Sequence, residues 1–192
     1  MSDTPLLQDP TDSPHRAGLY TPEERLRRDA SPWTLVQGIL APLQFLVMIA
    51  SAVLLVRFLQ TGEGLWLAEV SVVVKTGLLY LIMVTGSIWE KEVFGKWLFA
   101  EPFFWEDMVS MGVIALHTAY LVGLVAGWGS STALAWLALV AYAAYAINAI
   151  QFVLKLRAAR LQEQRATAGA ATQRAGHEDV VAQGDPVGQG AP

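Results

Sequence analysis

Four apolar stretches, at about residues 33–59, 65–88, 102–126 and 132–154, are each long enough to cross a lipid bilayer. A hydrocarbon core of about 30 Å takes roughly 20 helical residues. Inside it every backbone N–H and C=O must be paired within the protein, which leaves helices or a closed barrel. Stretches this long and this apolar are helical. The expected fold is therefore an all-α integral membrane protein: a four-transmembrane-helix bundle with a short N-terminal surface helix. The 192-residue chain is 54% hydrophobic and 16% charged, which suits one membrane domain and leaves no room for a soluble catalytic domain.

Local signals organise the ends. Residues 1–19 are rich in Pro, Asp, Ser and Thr and read as a disordered tail. They have no apolar core of a cleavable signal, so the first span is expected to act as an uncleaved anchor. Thr21-Pro22-Glu23-Glu24 is a capping box with proline at the first helical position, opening a short helix that carries Arg25, Arg27 and Arg28. Ser31-Pro32 repeats the cap-then-proline signal at the first span, and Pro42 predicts a kink within it. Gly127-Trp128-Gly129-Ser130-Ser131 is so short a link that spans three and four must be antiparallel neighbours. Residues 161–192 are rich in Ala, Gly and Gln and read as a second disordered tail, leaving residues 20–160 as the membrane domain.

Basic residues set the expected orientation. Arg16, Arg25, Arg27 and Arg28 precede span one, Lys91 and Lys96 lie between spans two and three, and Lys155, Arg157, Arg160 and Arg165 follow span four. The other two loops have only Arg57 beside them. The positive-inside rule then puts both termini and the hairpin at residues 90–107 in the cytoplasm, with the protein in the bacterial inner membrane.

Each span carries a polar stripe. Gln37, Gln44 and Ser51 recur every seven residues in span one, with Thr34 nearby. Glu106, Ser110, Val113, His117 and Tyr120 share a face of span three, and Asn148, Gln151 and Lys155 share one of span four, beside Tyr145. Lys75 lies near the middle of span two. Turning all four stripes inward gives a bundle with a partly polar interior, in which Gln, Asn and Ser either bond helix to helix or face a ligand. His117 lies roughly 14–22 Å and Lys75 roughly 20 Å from the cytoplasmic ends of their helices, at about 1.5 Å per residue. A midplane histidine can ligate a metal, shuttle a proton or satisfy a neighbour. An inward Lys75 is neutral or paired with a carboxylate. Ionisable groups at such depth are functional candidates.

The hairpin packs Glu90, Glu92, Glu101, Glu106 and Asp107 among Trp89, Phe94, Trp97, Phe99, Phe103, Phe104 and Trp105. An interfacial aromatic belt and helix-start acids account for part of this. Carboxyls desolvated by aromatics also make proton donors near neutral pH. The candidate catalytic groups are Glu106, Asp107, Glu90 and His117. Glu106 is favoured as the acid because it lies on the His117 face, where the bundle meets the cytoplasmic interface; Asp107 and then Glu90 follow. Lys75, Gln44, Asn148, Lys91, Lys96 and Trp105 are the candidate substrate contacts.

Several chemistries lack their residues. There is no cysteine, hence no disulfide, thiolate metal site or iron–sulfur cluster. No Walker loop, Gly-rich dinucleotide fingerprint, HExxH or GxSxG is present. A bis-histidine haem needs two intramembrane histidines, and His15 and His177 lie in the tails. Nothing points to nucleic acid.

Three segments carry a family resemblance: residues 20–46 (YTPEERLRRDASPWTLVQGILAPLQFL), 73–94 (VVKTGLLYLIMVTGSIWEKEVF) and 98–120 (LFAEPFFWEDMVSMGVIALHTAY). They resemble the 2-vinyl bacteriochlorophyllide hydratases, collinearly over roughly residues 20–160. The resemblance implies an enzyme of bacteriochlorophyll biosynthesis, a hydro-lyase that adds water to the C3-vinyl group of a chlorophyllide-type ring to give a 1-hydroxyethyl group. It implies no cofactor, because the magnesium belongs to the substrate, and it brings no catalytic residues with it. Other pigment-biosynthesis enzymes are expected partners besides lipid and pigment. The rival from another class is a non-catalytic pigment carrier or assembly factor. A quinone- or haem-binding electron-transfer subunit is disfavoured by the lone histidine.

Overall fold

The computed structural model describes residues 19–183. The expected tails lie partly beyond it: residues 1–18 of the N-terminal tail and 184–192 of the C-terminal one fall outside the described residues. Five α-helices follow in order: α1 (Pro22–Ala30), α2 (Pro32–Thr61), α3 (Leu65–Phe94), α4 (Phe104–Ala126) and α5 (Ser131–Gln183), with a single 3-10 turn at Glu101–Phe103 before α4. Among the described residues, α2, α3, the 3-10 turn with α4, and α5 from Ser131 to Gly169 make four segments long and apolar enough to span a bilayer. The protein is a multi-pass integral membrane protein.

The chain forms two compact units, divided between Phe152 and Val153. The first holds the bundle. The second holds the remainder of α5, where residues 161–183 are helical rather than irregular. Ala, Gln, Glu and Arg dominate that stretch, and all are good helix formers.

The caps form as physical chemistry demands. Thr21 Oγ1 accepts the Glu24 N–H at 3.2 Å, and the Glu24 carboxylate accepts the Thr21 N–H at 2.8 Å. Ser31 does not cap α2. Its hydroxyl donates instead to Glu92 Oε2 at 2.5 Å, since a charged acceptor competes well for it. This bond, the Tyr20–Phe94 ring stack at 5.8 Å and the Arg28 guanidinium over the Tyr20 ring tie α1 to the end of α3. α2 is one continuous helix through Pro42. Gly62, with φ 74°, ends α2, and Gly127, with φ 67°, ends α4. Both adopt the left-handed conformation that closes a helix and that a side chain disfavours.

Side-chain contacts set the register at successive depths. At one end Trp89 Nε1 donates to Thr34 Oγ1 at 2.9 Å, and the Phe103 and Phe152 rings stack at 5.8 Å. Deeper, Gln37 Nε2 donates to Thr85 Oγ1 at 2.7 Å and Asn148 Nδ2 donates to Ser110 Oγ at 2.7 Å. Next comes Lys75, whose Nζ donates to Gln44 Oε1 at 2.7 Å. Beyond it, the His117 ring lies 5.7 Å from that of Tyr142, and Ser51 Oγ bonds both Tyr142 at 2.6 Å and Ser71 at 2.7 Å. Thus α4 and α5 are antiparallel. The start of α2, the end of α3, the start of α4 and the Phe152 region of α5 share one end of the bundle. Leu35, Val53, Val84 and Val125 face outward, where lipid takes the place of a core.

Candidate functional site

Two polar centres occupy the bundle interior. The first is the carboxyl pair Glu90 and Asp107, only 5% and 3% exposed. Glu90 lies in the last turns of α3 and Asp107 in the first turn of α4, so the intervening hairpin must fold back to join them. The acids hold that hairpin. Asp107 Oδ2 accepts the Phe99 N–H at 2.8 Å, and Glu90 Oε2 accepts the Ala100 N–H at 3.1 Å. Phe99 has φ 58°, a left-handed conformation that costs an aromatic residue about 1–3 kcal/mol. The Asp107 bond offsets that strain. The two carboxyls lie close enough to act on each other. Two negative charges in so small a buried space repel, which favours a proton on one of them. An aromatic cluster of Tyr20, Trp89, Phe94, Phe103 and Phe152 caps the same end, with neighbouring ring centroids 5.7–5.8 Å apart.

The second centre lies deeper. His117 is fully buried, and its Nδ1 lies 2.8 Å from the Val113 carbonyl oxygen. A carbonyl only accepts, so Nδ1 carries the proton and Nε2 keeps a bare lone pair in the neutral ring. Among the described residues Nε2 has no hydrogen-bond partner. Lys75, also fully buried, pairs with the Gln44 amide oxygen and sits 3.8 Å above the centroid of the Tyr145 ring. The partner is thus an amide and an aromatic face, rather than a carboxylate. Gln44 Nε2 completes the amide by donating to the Leu78 carbonyl at 3.3 Å. Between the centres stands Asn148, whose Oδ1 is buried without a partner.

The remaining candidates are scattered. Glu106 is half-buried at the edge of the interior face, while Asp107 points into it. Trp105 is 74% exposed and packs edge-on against Phe104, away from the interior. Lys91 and Lys96 are exposed on the hairpin, and Lys91 Nζ donates to the Gly95 carbonyl at 2.8 Å. Tyr142 was passed over by sequence reasoning. Its signal is the spacing Tyr142–Tyr145–Asn148, which puts three polar-tipped side chains on one α5 face.

The profile of the family described as 2-vinyl bacteriochlorophyllide hydratase matches residues 20–158, which span the bundle and both centres. The chain belongs to the 2-vinyl bacteriochlorophyllide hydratase family. The 2-vinyl bacteriochlorophyllide hydratase of Rhodobacter capsulatus is 62% identical over 157 residues, covering 82% of this chain and 91% of the relative. That of Cereibacter sphaeroides is 60% identical over 154 residues, covering 80% of this chain and 95% of the relative. No solved structure matches the chain.

Proposed function

We propose that this protein hydrates the C3-vinyl group of a chlorophyllide or bacteriochlorophyllide, giving a 3-(1-hydroxyethyl) group. Family membership across the whole bundle carries this reading. The reaction is an acid–base one. A carboxyl proton adds to the terminal vinyl carbon as the π bond breaks. The positive charge left on the inner carbon is delocalised into the macrocycle. Water bonds to that carbon and its surplus proton returns to the carboxylate. One proton-sharing pair serves as both acid and base, so the ring's oxidation state does not change.

Glu90 and Asp107 are the proposed proton donor, and His117 Nε2 the proposed axial ligand of the substrate magnesium. Using both on one pigment sets a requirement on distance. From magnesium to the outer vinyl carbon runs one metal–nitrogen bond of about 2.1 Å and four bonds of about 1.4 Å, less than about 8 Å in all. A contact of about 3–3.5 Å to the acid extends the reach to roughly 11 Å. His117 lies ten residues beyond Asp107, a rise of about 15 Å. The His117 ring turns toward the N-terminus of α4 through its bond to Val113, but Asp107 reaches the same way to Phe99, so holding one pigment with both requires a side chain to swing toward the other. Ligation also requires the neighbouring Tyr142 ring to turn aside. Lys75 and Gln44 are proposed to face the far ring edge.

The bacterial inner membrane with both termini cytoplasmic is the proposed setting, from the Lys/Arg asymmetry. Lys91, Lys96 and the arginines of α1 are proposed to capture the pigment carboxylate there. The direct test is incubation of membranes containing the protein with a 3-vinyl chlorophyllide. Product heavier by one water supports the reading, and unchanged pigment that stays bound would make the protein a carrier.

A further inference from the structure

Asn148 is 7% exposed, and one of its two polar atoms has no partner among the described residues. The other, Nδ2, donates to Ser110 Oγ at 2.7 Å. Turning the amide over exchanges the two roles but still leaves one atom unpaired. A buried amide oxygen without a donor costs about 1–3 kcal/mol. Such groups are explained by strain, by a ligand or by an ordered water. Asn148 sits in a bonded helix–helix contact, with a hydroxyl beside it and the carboxyl pair nearby. That is a polar setting with several partners for a water molecule.

The depth of the pair decides its use. Ser110 lies three residues from Asp107, a rise of about 4.5 Å. Addition across a double bond brings the proton donor and the water oxygen each within about 3–3.5 Å of adjacent carbons. Donor and water are then no more than roughly 7 Å apart, the sum of those two contacts. The Ser110–Asn148 pair, one helical turn from Asp107, falls within that limit. His117, about 15 Å from Asp107, does not.

We propose that Asn148 and Ser110 position the nucleophilic water, with the Asn148 amide oxygen accepting one of its hydrogens and its lone pair aimed at the inner vinyl carbon. This deepens the hydratase reading and rests on Glu90–Asp107 as the proton donor. Division of labour follows. The carboxyl pair makes and reverses the C–H bond at the terminal carbon, while Asn148 and Ser110 govern only the C–O bond at the inner one.

The two steps are separable in heavy water. Reversible protonation puts deuterium into the terminal vinyl position of recovered substrate, with one deuteron gained and one proton lost. Hydration adds deuterated water across the bond. Asn148→Leu removes the amide and its unpaired atom together, with similar volume. It should lower hydration at least about 100-fold, within the range for positioned catalytic groups, while deuterium exchange into recovered substrate stays within a few-fold of the parent. Ser110→Ala should shift the same hydration-to-exchange ratio in the same direction. Pigment binding, read by quenching of chlorin fluorescence, reports that each variant is folded. An unchanged ratio in both variants overturns the proposal, and so does loss of exchange together with hydration in folded Asn148→Leu. If Asn148→Leu does not accumulate, the Ser110→Ala ratio decides alone. Failure of the underlying acid assignment looks different: Asp107→Asn would then leave exchange and hydration both intact.

Discussion

Asp107→Asn isolates the proton from the fold. Asp107 does two things: it accepts the Phe99 N–H at 2.8 Å, and it stands beside the Glu90 carboxyl. An asparagine keeps an oxygen for Phe99 and sets an amide beside Glu90, so the hairpin retains its latch. What it cannot do is carry the proton between substrate and pair. Loss of general acid catalysis costs about 100- to 10,000-fold, or roughly 2.7–5.4 kcal/mol of barrier at about 1.36 kcal/mol per tenfold. Asp107→Ala removes the latch as well. It leaves the Phe99 N–H unpaired and its strain uncompensated, and should lower stability by about 1–3 kcal/mol. The assay is initial-rate conversion of 3-vinyl chlorophyllide in membranes carrying equal amounts of each variant, read by mass, with thermal loss of pigment binding as the stability measure. Asparagine should be inactive and stable; alanine should be inactive and less stable. An Asp107→Asn enzyme within a few-fold of the parent rate refutes the acid assignment. The pair is then a hairpin latch only, and Glu106, half-buried beside it, becomes the acid to test.

His117→Ala should erase the preference for magnesium-containing over demetallated pigment while leaving the protein in the membrane; an unchanged preference removes His117 as the magnesium ligand. Reporter fusions at Thr61 and Gly129 should read the periplasm and a fusion at Gly95 the cytoplasm, and a cytoplasmic signal at Gly129 would break the topology. Esterifying the pigment carboxylate should weaken binding several-fold, and Lys91→Ala with Lys96→Ala should weaken the free acid but not the ester; equal handling of acid and ester argues against the basic face.

Much of the fold was legible because membrane-length apolar runs and caps are local signals. Thr21 and Glu24 cap α1 through the bonds their spacing implies. The glycine-rich link does set α4 against α5, as Asn148–Ser110 and Phe152–Phe103 attest. The inward face of α4 was readable to within one residue. Glu106 and Asp107 are neighbours, and which of them points inward depends on the phase in which the 3-10 turn at Glu101–Phe103 delivers the chain to α4. Sequence spacing alone does not give that phase. The Glu90–Asp107 contact was out of reach for the same reason. It depends on a hairpin with Phe99 in a left-handed conformation, and nothing in a phenylalanine announces that. Residues 161–183 misled by composition: glycine and glutamine suggested a tail, but alanine, arginine and glutamate keep the helix going.

The placement of the acid pair follows from what it must do twice in one turnover. A donor deep among apolar side chains, far from any exchangeable proton, would have no route for correcting an error in its protonation state. A donor in open water would ionise and stop donating. Glu90 and Asp107 stand where the last turns of α3 meet the first turn of α4, buried from solvent but beneath a hairpin with exposed Lys91 and Lys96. Two backbone N–H groups each fix one carboxyl oxygen, and the closeness of two buried acids favours one proton held between them. The Asp107 bond that offsets the strain at Phe99 is the same bond that orients that carboxyl. Holding the hairpin and holding the proton are therefore a single structural problem, solved by the same two side chains, and that is why the asparagine and alanine substitutions at Asp107 are expected to part company in stability while agreeing in activity.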